Sequence, residues 1–246
     1  MKTPRTFLSI AWTVFLLIWC AGCKDSARKF GELNALAGNT TDKGLSGHGF
    51  TEIYERFFYP LKYEPIKIFE IGIEWGGSLR LWERYFPKAS VYGIDIADKS
   101  SMDSKRIHTF VADQADRNQL KHFIRTYGNA YDIILDDGGH AMDQQQISFG
   151  FLFPFVKPGG YYIIEDVHSS LPDYYRDLGL DYHVKDDETN TTLRMIQNFV
   201  KTKKIESQYL RPEEIQYLNR HIEYAVLFAK NSKRHSMTCI FKKVNE

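Results

Sequence analysis

From residue 65 onward, short β-branched apolar runs alternate with stretches of helical periodicity, and that alternation leaves few architectures open. Lys67-Ile68-Phe69-Glu70-Ile71-Gly72 reads as a buried first strand. After Gly76 and Gly77, the residues Leu79, Trp82 and Phe86 recur at helical spacing, with Ser78 suited to the N-cap and Pro87 as the stop. Further strands are predicted over residues 91–96, 107–111, 131–137 and 161–166, with helices over 118–125 and 143–153. Lys157-Pro158-Gly159-Gly160 reads as the turn into the fifth strand. A helical pattern through Leu193, Ile196, Phe199 and Val200 precedes two late strands, 222–229 and 237–242, whose polar link suits a hairpin. Strands alternating with helices require a parallel sheet covered on both faces. The expected fold is therefore α/β, a doubly wound, mostly parallel seven-stranded sheet closed by an antiparallel C-terminal hairpin.

A composition of 43% hydrophobic and 26% charged residues supplies a real core. The net charge of +1 creates no field for nucleic acid, and short basic stretches such as residues 201–204 read as solvated surface. Cys20, Cys23 and Cys239 have neither a disulfide framework nor zinc spacing, so Cys239 reads as a buried core thiol.

The N-terminus reads differently. Lys2 and Arg5 precede an apolar run from Phe7 to Trp19, then Cys20-Ala21-Gly22-Cys23, the arrangement of a secretory signal. It resembles a bacterial lipobox in which Cys20 replaces an aliphatic residue, and it is slightly shorter than the ~18–20 residues of a spanning helix. The expectation is a membrane-associated leader over residues 1–23, a polar stretch and helix over 24–64, and a catalytic domain over 65–246.

In open parallel sheets, ligands bind beyond the carboxyl ends of the strands, at the point where strand order reverses. The polar residues of this chain cluster at those ends. The dinucleotide pattern G-x-G-x-x-G is absent after strand one, where Glu74 would repel a pyrophosphate, so a nicotinamide-dependent oxidoreductase is disfavoured. At the ends of strands four and five stand Asp136-Asp137-Gly138-Gly139-His140 and Glu165-Asp166. Neighbouring strands lie roughly 4.8 Å apart, so Asp137, Glu165 and Asp166 can share one cation. Hard oxygen donors select Mg²⁺ or Mn²⁺, and without a cation three crowded carboxylates would repel one another. His140, three residues past a ligand candidate, is the candidate general base.

Glu70-Ile71-Gly72 followed by a Gly-rich turn resembles motif I of the S-adenosylmethionine methyltransferases, whose class I members add the same antiparallel hairpin. The resemblance implies that Glu70 approaches the cationic methionine moiety and that Gly72, Gly77 and Ser78 shape the loop. It further implies that Asp95 meets the ribose hydroxyls and Asp113 the adenine amino group, with Asp136 also on the cofactor side. Together with Ser148-Phe149, Leu152-Phe153-Pro154, Gly159-Gly160-Tyr161 and the N-terminal Thr41-Asp42-Lys43-Gly44, His48 and Tyr54, these residues resemble the metal-dependent macrolide-sugar O-methyltransferases and the related cephalosporin hydroxylase family. The likeness covers residues 41–170, with Gly139 standing where that family frequently has Ser. It implies Asp137, Glu165 and Asp166 as Mg²⁺ ligands, His140 as base, S-adenosylmethionine as cofactor and a sugar hydroxyl as acceptor, with no nucleic-acid partner. Cofactor supply favours a domain on the cytosolic face of the membrane. A membrane-tethered, non-catalytic binding protein is the alternative from a different class. Tyr161, Tyr174, Tyr175, Tyr182 and His183 are candidates to line a sugar pocket.

Overall fold

The computed structural model describes residues 30–171, 190–230 and 236–246. The leader, the hairpin link and the candidate pocket residues Tyr174, Tyr175, Tyr182 and His183 lie outside the described residues. Among the described residues, no helix is long and apolar enough to cross a membrane.

Strands β1 (Lys67–Ile71), β2 (Ser90–Asp95), β3 (Ile107–Val111), β4 (Tyr131–Asp136), β5 (Val156–Ile164), β6 (Ile222–Lys230) and β7 (Ser236–Lys243) form one sheet. Its order is β3-β2-β1-β4-β5-β7-β6, parallel from β3 to β5, with β7 antiparallel to both β5 and β6. This is the expected α/β plan. Strand β5 starts earlier than its predicted turn: Val156 already pairs with Tyr131, and a register shift absorbs the Pro-Gly-Gly segment before Tyr161 pairs with Ile133.

Helices α1 (Glu32–Ala37), α2 (Thr51–Phe58) and α3 (Gly77–Tyr85) cover one face, burying Leu33, Tyr54, Phe58, Leu79 and Trp82 against Ile68, Ile133 and Ile163. The segment before residue 65 thus shares the core of the sheet. On the other face, α4 (Arg117–Tyr127), α5 (Met142–Leu152), α6 (Thr192–Thr202) and α7 (Pro212–His221) bury Phe123, Phe149, Phe199 and Leu218 against Phe69, Ile134 and Tyr162.

Local chemistry explains the helix starts. Asp116 caps α4 by accepting from the Asn118 and Gln119 amides at 2.8 and 3.3 Å. The N-cap of α3 is Gly76 in the left-handed conformation (φ 73°), not Ser78, which sits within the first turn. The amides at the start of α1 are satisfied by the Glu55 carboxylate of α2, at 2.5 Å from Gly31, 3.1 Å from Glu32 and 3.2 Å from Leu33.

Cys239 on β7 is a free, fully buried thiol, and burial pushes its pKa well up. Since the thiolate is the reactive form, Cys239 of the native protein is expected to alkylate at least ~100-fold more slowly than after unfolding. Peptide mapping after a timed iodoacetamide pulse checks this; equal labelling in both states would contradict it.

Candidate active site

The order of the parallel strands reverses between β1 and β4, and a cavity of about 980 Å³ opens at their carboxyl ends. The loop after β1 supplies Gly72, Glu74 and Trp75 to its wall and the start of α3 supplies Gly77 and Ser78; Asp95 ends β2 with Ile96 after it, and Asp113 and Gln114 follow β3. Asp137, Gly138, Gly139 and His140 follow β4, Asp166 follows β5, and the N-terminal loop adds Thr40, Thr41 and Asp42.

Two glycines make the wall thin. Gly72 has φ 85°, and a Cβ there would collide with the Asp137 carbonyl oxygen. A Cβ on Gly77 would meet the Thr40 carbonyl. Asp95 ties the β1 loop to β2: its carboxylate accepts from the amides of Ile73 (2.9 Å), Glu74 (3.0 Å) and Ala97 (2.9 Å). Partial burial works against its charge, but those three donors together outweigh burial and lower the pKa. Each carboxylate oxygen can accept more than one hydrogen bond, so Asp95 keeps capacity toward the cavity. Asp113 is half-buried and accepts from the Ala115 amide at 2.8 Å.

Three of the predicted residues stand behind the wall instead of in it. Side chains alternate along a strand, so Ile68 and Glu70 of β1 point to the α1–α3 face while Phe69 and Ile71 point to the other. Glu70 is completely buried, accepting from the Trp82 indole at 2.9 Å, and burial raises its pKa to about 7. Asp136, on the opposite face, is held by Ser148, by Gln114 at 3.1 Å and by the Gly138 amide at 3.3 Å. Burial lifts its pKa to about 6. Gln114 in turn accepts from the Gly139 amide at 2.7 Å, so Asp136 shapes the β4 loop without lining the cavity. Glu165 is 1% exposed, with Tyr54 Oη at 2.8 Å and Lys43 Nζ at 3.0 Å from its two oxygens.

At the rim, Asp137, His140 and Asp166 each bring a ligand atom within 4.8 Å of the others. His140 Nε2 lies 3.5 Å from Asp166 Oδ2. Both residues adopt left-handed backbone conformations, φ 59° for His140 and 51° for Asp166. A non-glycine residue there costs of order 1–2 kcal/mol, and such strain concentrates at functional positions. Asp166 Oδ1 is buried with no hydrogen-bond partner among the described residues, and burial raises the pKa of this carboxyl, against the pull of His140.

The N-terminal loop contributes residues whose roles the sequence did not reveal. Lys43 is completely buried and meets Asp137, Glu165 and Glu70. Burial opposes its charge, but the three carboxylates outweigh burial and hold the ammonium protonated. His48 lies 2.8 Å from Ser236 Oγ, 3.5 Å from Asp42 and 3.8 Å from Asp166. Burial disfavours its cation, yet Asp42 and Asp166 prevail and raise its pKa, while the His48 contact lowers that of Asp42 to about 2.

No family model matches the chain. Among curated relatives, the mycinamicin VI 2''-O-methyltransferase of Micromonospora griseorubida is 44% identical over 127 residues, 49% of this chain and 32% of that protein. The 8-demethyl-8-(2-methoxy-alpha-L-rhamnosyl)-tetracenomycin-C 3'-O-methyltransferase of Streptomyces olivaceus is 39% identical over 145 residues, 56% of this chain and 37% of that protein. Among solved structures, MycE methyltransferase from the mycinamycin biosynthetic pathway, in complex with Mg, SAH and mycinamycin VI, superposes with a TM-score of 0.68 at 31% identity. That match covers 86% of this chain and 54% of MycE. The chain spans well under half the length of those curated relatives, 32% and 37%. By sequence and by fold, the chain is related to the O-methyltransferases of macrolide and tetracenomycin sugars and shares their class I methyltransferase architecture.

Proposed function

We propose that the chain is an S-adenosylmethionine- and Mg²⁺-dependent O-methyltransferase acting on a hydroxyl of a sugar or glycosylated small molecule. The observation that carries the reading is the convergence of Asp137, His140 and Asp166 on the rim of the cavity at the strand reversal. The bound Mg and SAH of the MycE structure support it.

The donor set suits the metal. Mg²⁺ prefers oxygen, so the two aspartates are the natural ligands of the group and the imidazole stays available for a proton. Asp166 Oδ1, buried without a hydrogen bond among the described residues and with the His48 and His168 rings near it at 3.8 and 3.7 Å, keeps lone pairs for a cation. Glu165 is the third proposed ligand; it already bonds Tyr54 and Lys43, and each of its oxygens has a further lone pair. For the cofactor, Gly72 and Gly77 allow close backbone approach, Ser78 and Asp113 line the wall, and Asp95 faces the ribose. Glu70 acts from behind, as a buried carboxyl that fixes Trp82 beneath the loop.

When bound, S-adenosylmethionine supplies the methyl group and Mg²⁺ acidifies a coordinated hydroxyl. The chain does the rest. His140 accepts the acceptor's proton, Asp166 holds the imidazole orientation through Nε2, and the rim aligns the oxygen with the methyl carbon.

Calorimetry with S-adenosylhomocysteine, with and without Mg²⁺, tests the binding half. Binding is expected, together with protection from thermal unfolding that NAD(H) does not give. Methyl transfer to a rhamnosylated acceptor is expected to stop on adding EDTA. Absence of S-adenosylhomocysteine binding, or turnover undiminished by EDTA, would sink the assignment. We also propose that residues 1–23 attach the protein to a membrane, with the catalytic part on the cytosolic side. Digestion of that part by protease added outside intact cells would rule this out.

A further inference from the structure

We propose that Lys43 is a positioning residue, a built-in counter-cation whose ammonium keeps the carboxylates of Glu70, Asp137 and Glu165 assembled before any metal ion arrives. Those acids come from the ends of β1, β4 and β5 and converge on the α1–α3 side of the sheet. Lys43 reaches them from a loop far away in sequence, 94 residues from Asp137 and 122 from Glu165. Its distances are 3.3 Å to Glu70 Oε1 and 3.0 Å to Glu165 Oε2, with Asp137 in direct contact.

The lysine is anchored as well as paired. Its carbonyl accepts from the Thr51 amide at the start of α2 at 3.0 Å, and the turn ahead of α2 is closed by His48 N to Asp42 O at 2.7 Å. A lysine with no exposed surface stays charged only where opposite charge surrounds it. Three acids crowded into one site likewise need a cation to remain together. Each side of this arrangement supplies what the other lacks. Because Asp137 belongs both to this set and to the rim group, the ammonium also lies close to where a divalent ion would sit.

Two consequences separate this role from ordinary packing. The first concerns the protein in EDTA and is independent of the metal reading. Lys43→Met is expected to lower the unfolding temperature of the full chain by roughly 10 °C, as for a broken buried pair. The double variant Lys43→Met/Asp137→Asn is expected to regain at least half of that loss, since it removes one charge of each sign from the pair in direct contact. The second rests on the metal site proposed above. Removing a like charge beside the site is expected to tighten Mg²⁺ binding by about 10-fold or more in calorimetry. Mg²⁺ would then raise the unfolding temperature of Lys43→Met more than that of the wild type.

Losses that add in the double variant, or a Mg²⁺ response of Lys43→Met equal to or weaker than that of the wild type, would overturn the proposal. If Mg²⁺ binds neither protein, the metal reading fails and the EDTA comparison alone decides: partial recovery upholds the counter-cation and additivity removes it. Should Lys43→Met fail to fold, a folded double variant demonstrates the same coupling, and failure of both refutes it.

Discussion

Replacing His140 by alanine is expected to slow methyl transfer by about 10²–10⁴-fold, the usual contribution of a positioned general base. Affinity for S-adenosylhomocysteine should stay within about threefold of the wild type. The separation follows from placement. His140 stands at the rim beside Asp166, while the loops after β1, β2 and β3 form the deeper wall of the cavity. Since alanine adopts φ near 59° reluctantly, the backbone of the β4 loop could shift; His140→Gly, which relieves that strain, controls for it. Single-turnover transfer measured alongside calorimetry gives both quantities. Transfer at the wild-type rate in either variant would remove His140 from the proton-transfer role, and parallel loss of cofactor binding would make it a structural residue.

Substituting Gly72 by valine is expected to damage the site through the backbone alone. A β-branched residue at φ 85° is strained by about 1–2 kcal/mol, and its Cβ would overlap the Asp137 carbonyl oxygen, a backbone atom that cannot rotate away. Gly72 is pinned by its amide to Ile94 O at 2.9 Å, and Asp137 by its own amide to Ile71 O at 2.9 Å. Relief must therefore come from parting the tips of β1 and β4. A loss of about 3 kcal/mol or more follows, or roughly 6–12 °C in unfolding temperature for a chain of this size. The same displacement moves Asp137 off the rim, so cofactor and Mg²⁺ binding should both fall by at least ~100-fold. Differential scanning calorimetry and titration check the two effects; an unshifted transition would mean that the loop is softer than these contacts imply.

The strand pattern was legible because it is local. An apolar run bounded by turn residues identifies a strand wherever it later pairs, and β3 appears with its predicted bounds at Ile107–Val111. Helices α4 and α5 fall within two residues of their predicted ends. Helix α1 was not legible: its six residues bury only Leu33 and Ala37, and its N-terminal amides depend on Glu55, 22–24 residues away. Helix α7 does carry a local signal, Pro212 followed by Glu213 and Glu214 in the first turn.

At the site, Asp137, His140 and Asp166 could be picked out because each follows the end of a strand in a parallel sheet, and topology sends such ends to one cleft. Adjacent acids in the same motifs went elsewhere. Along each strand the pleat turns successive side chains to opposite faces, so Asp136 meets Ser148 of α5 while Glu165 meets Tyr54 of α2. The sequence by itself determined the sheet, the order of its elements and the carboxyl-end cluster, since periodicity and strand-end position are properties of short segments. Only the tertiary structure decided which carboxylates open to the cavity and which enclose Lys43, because that depends on a loop approaching from about a hundred residues away, a distance over which no local pattern carries information.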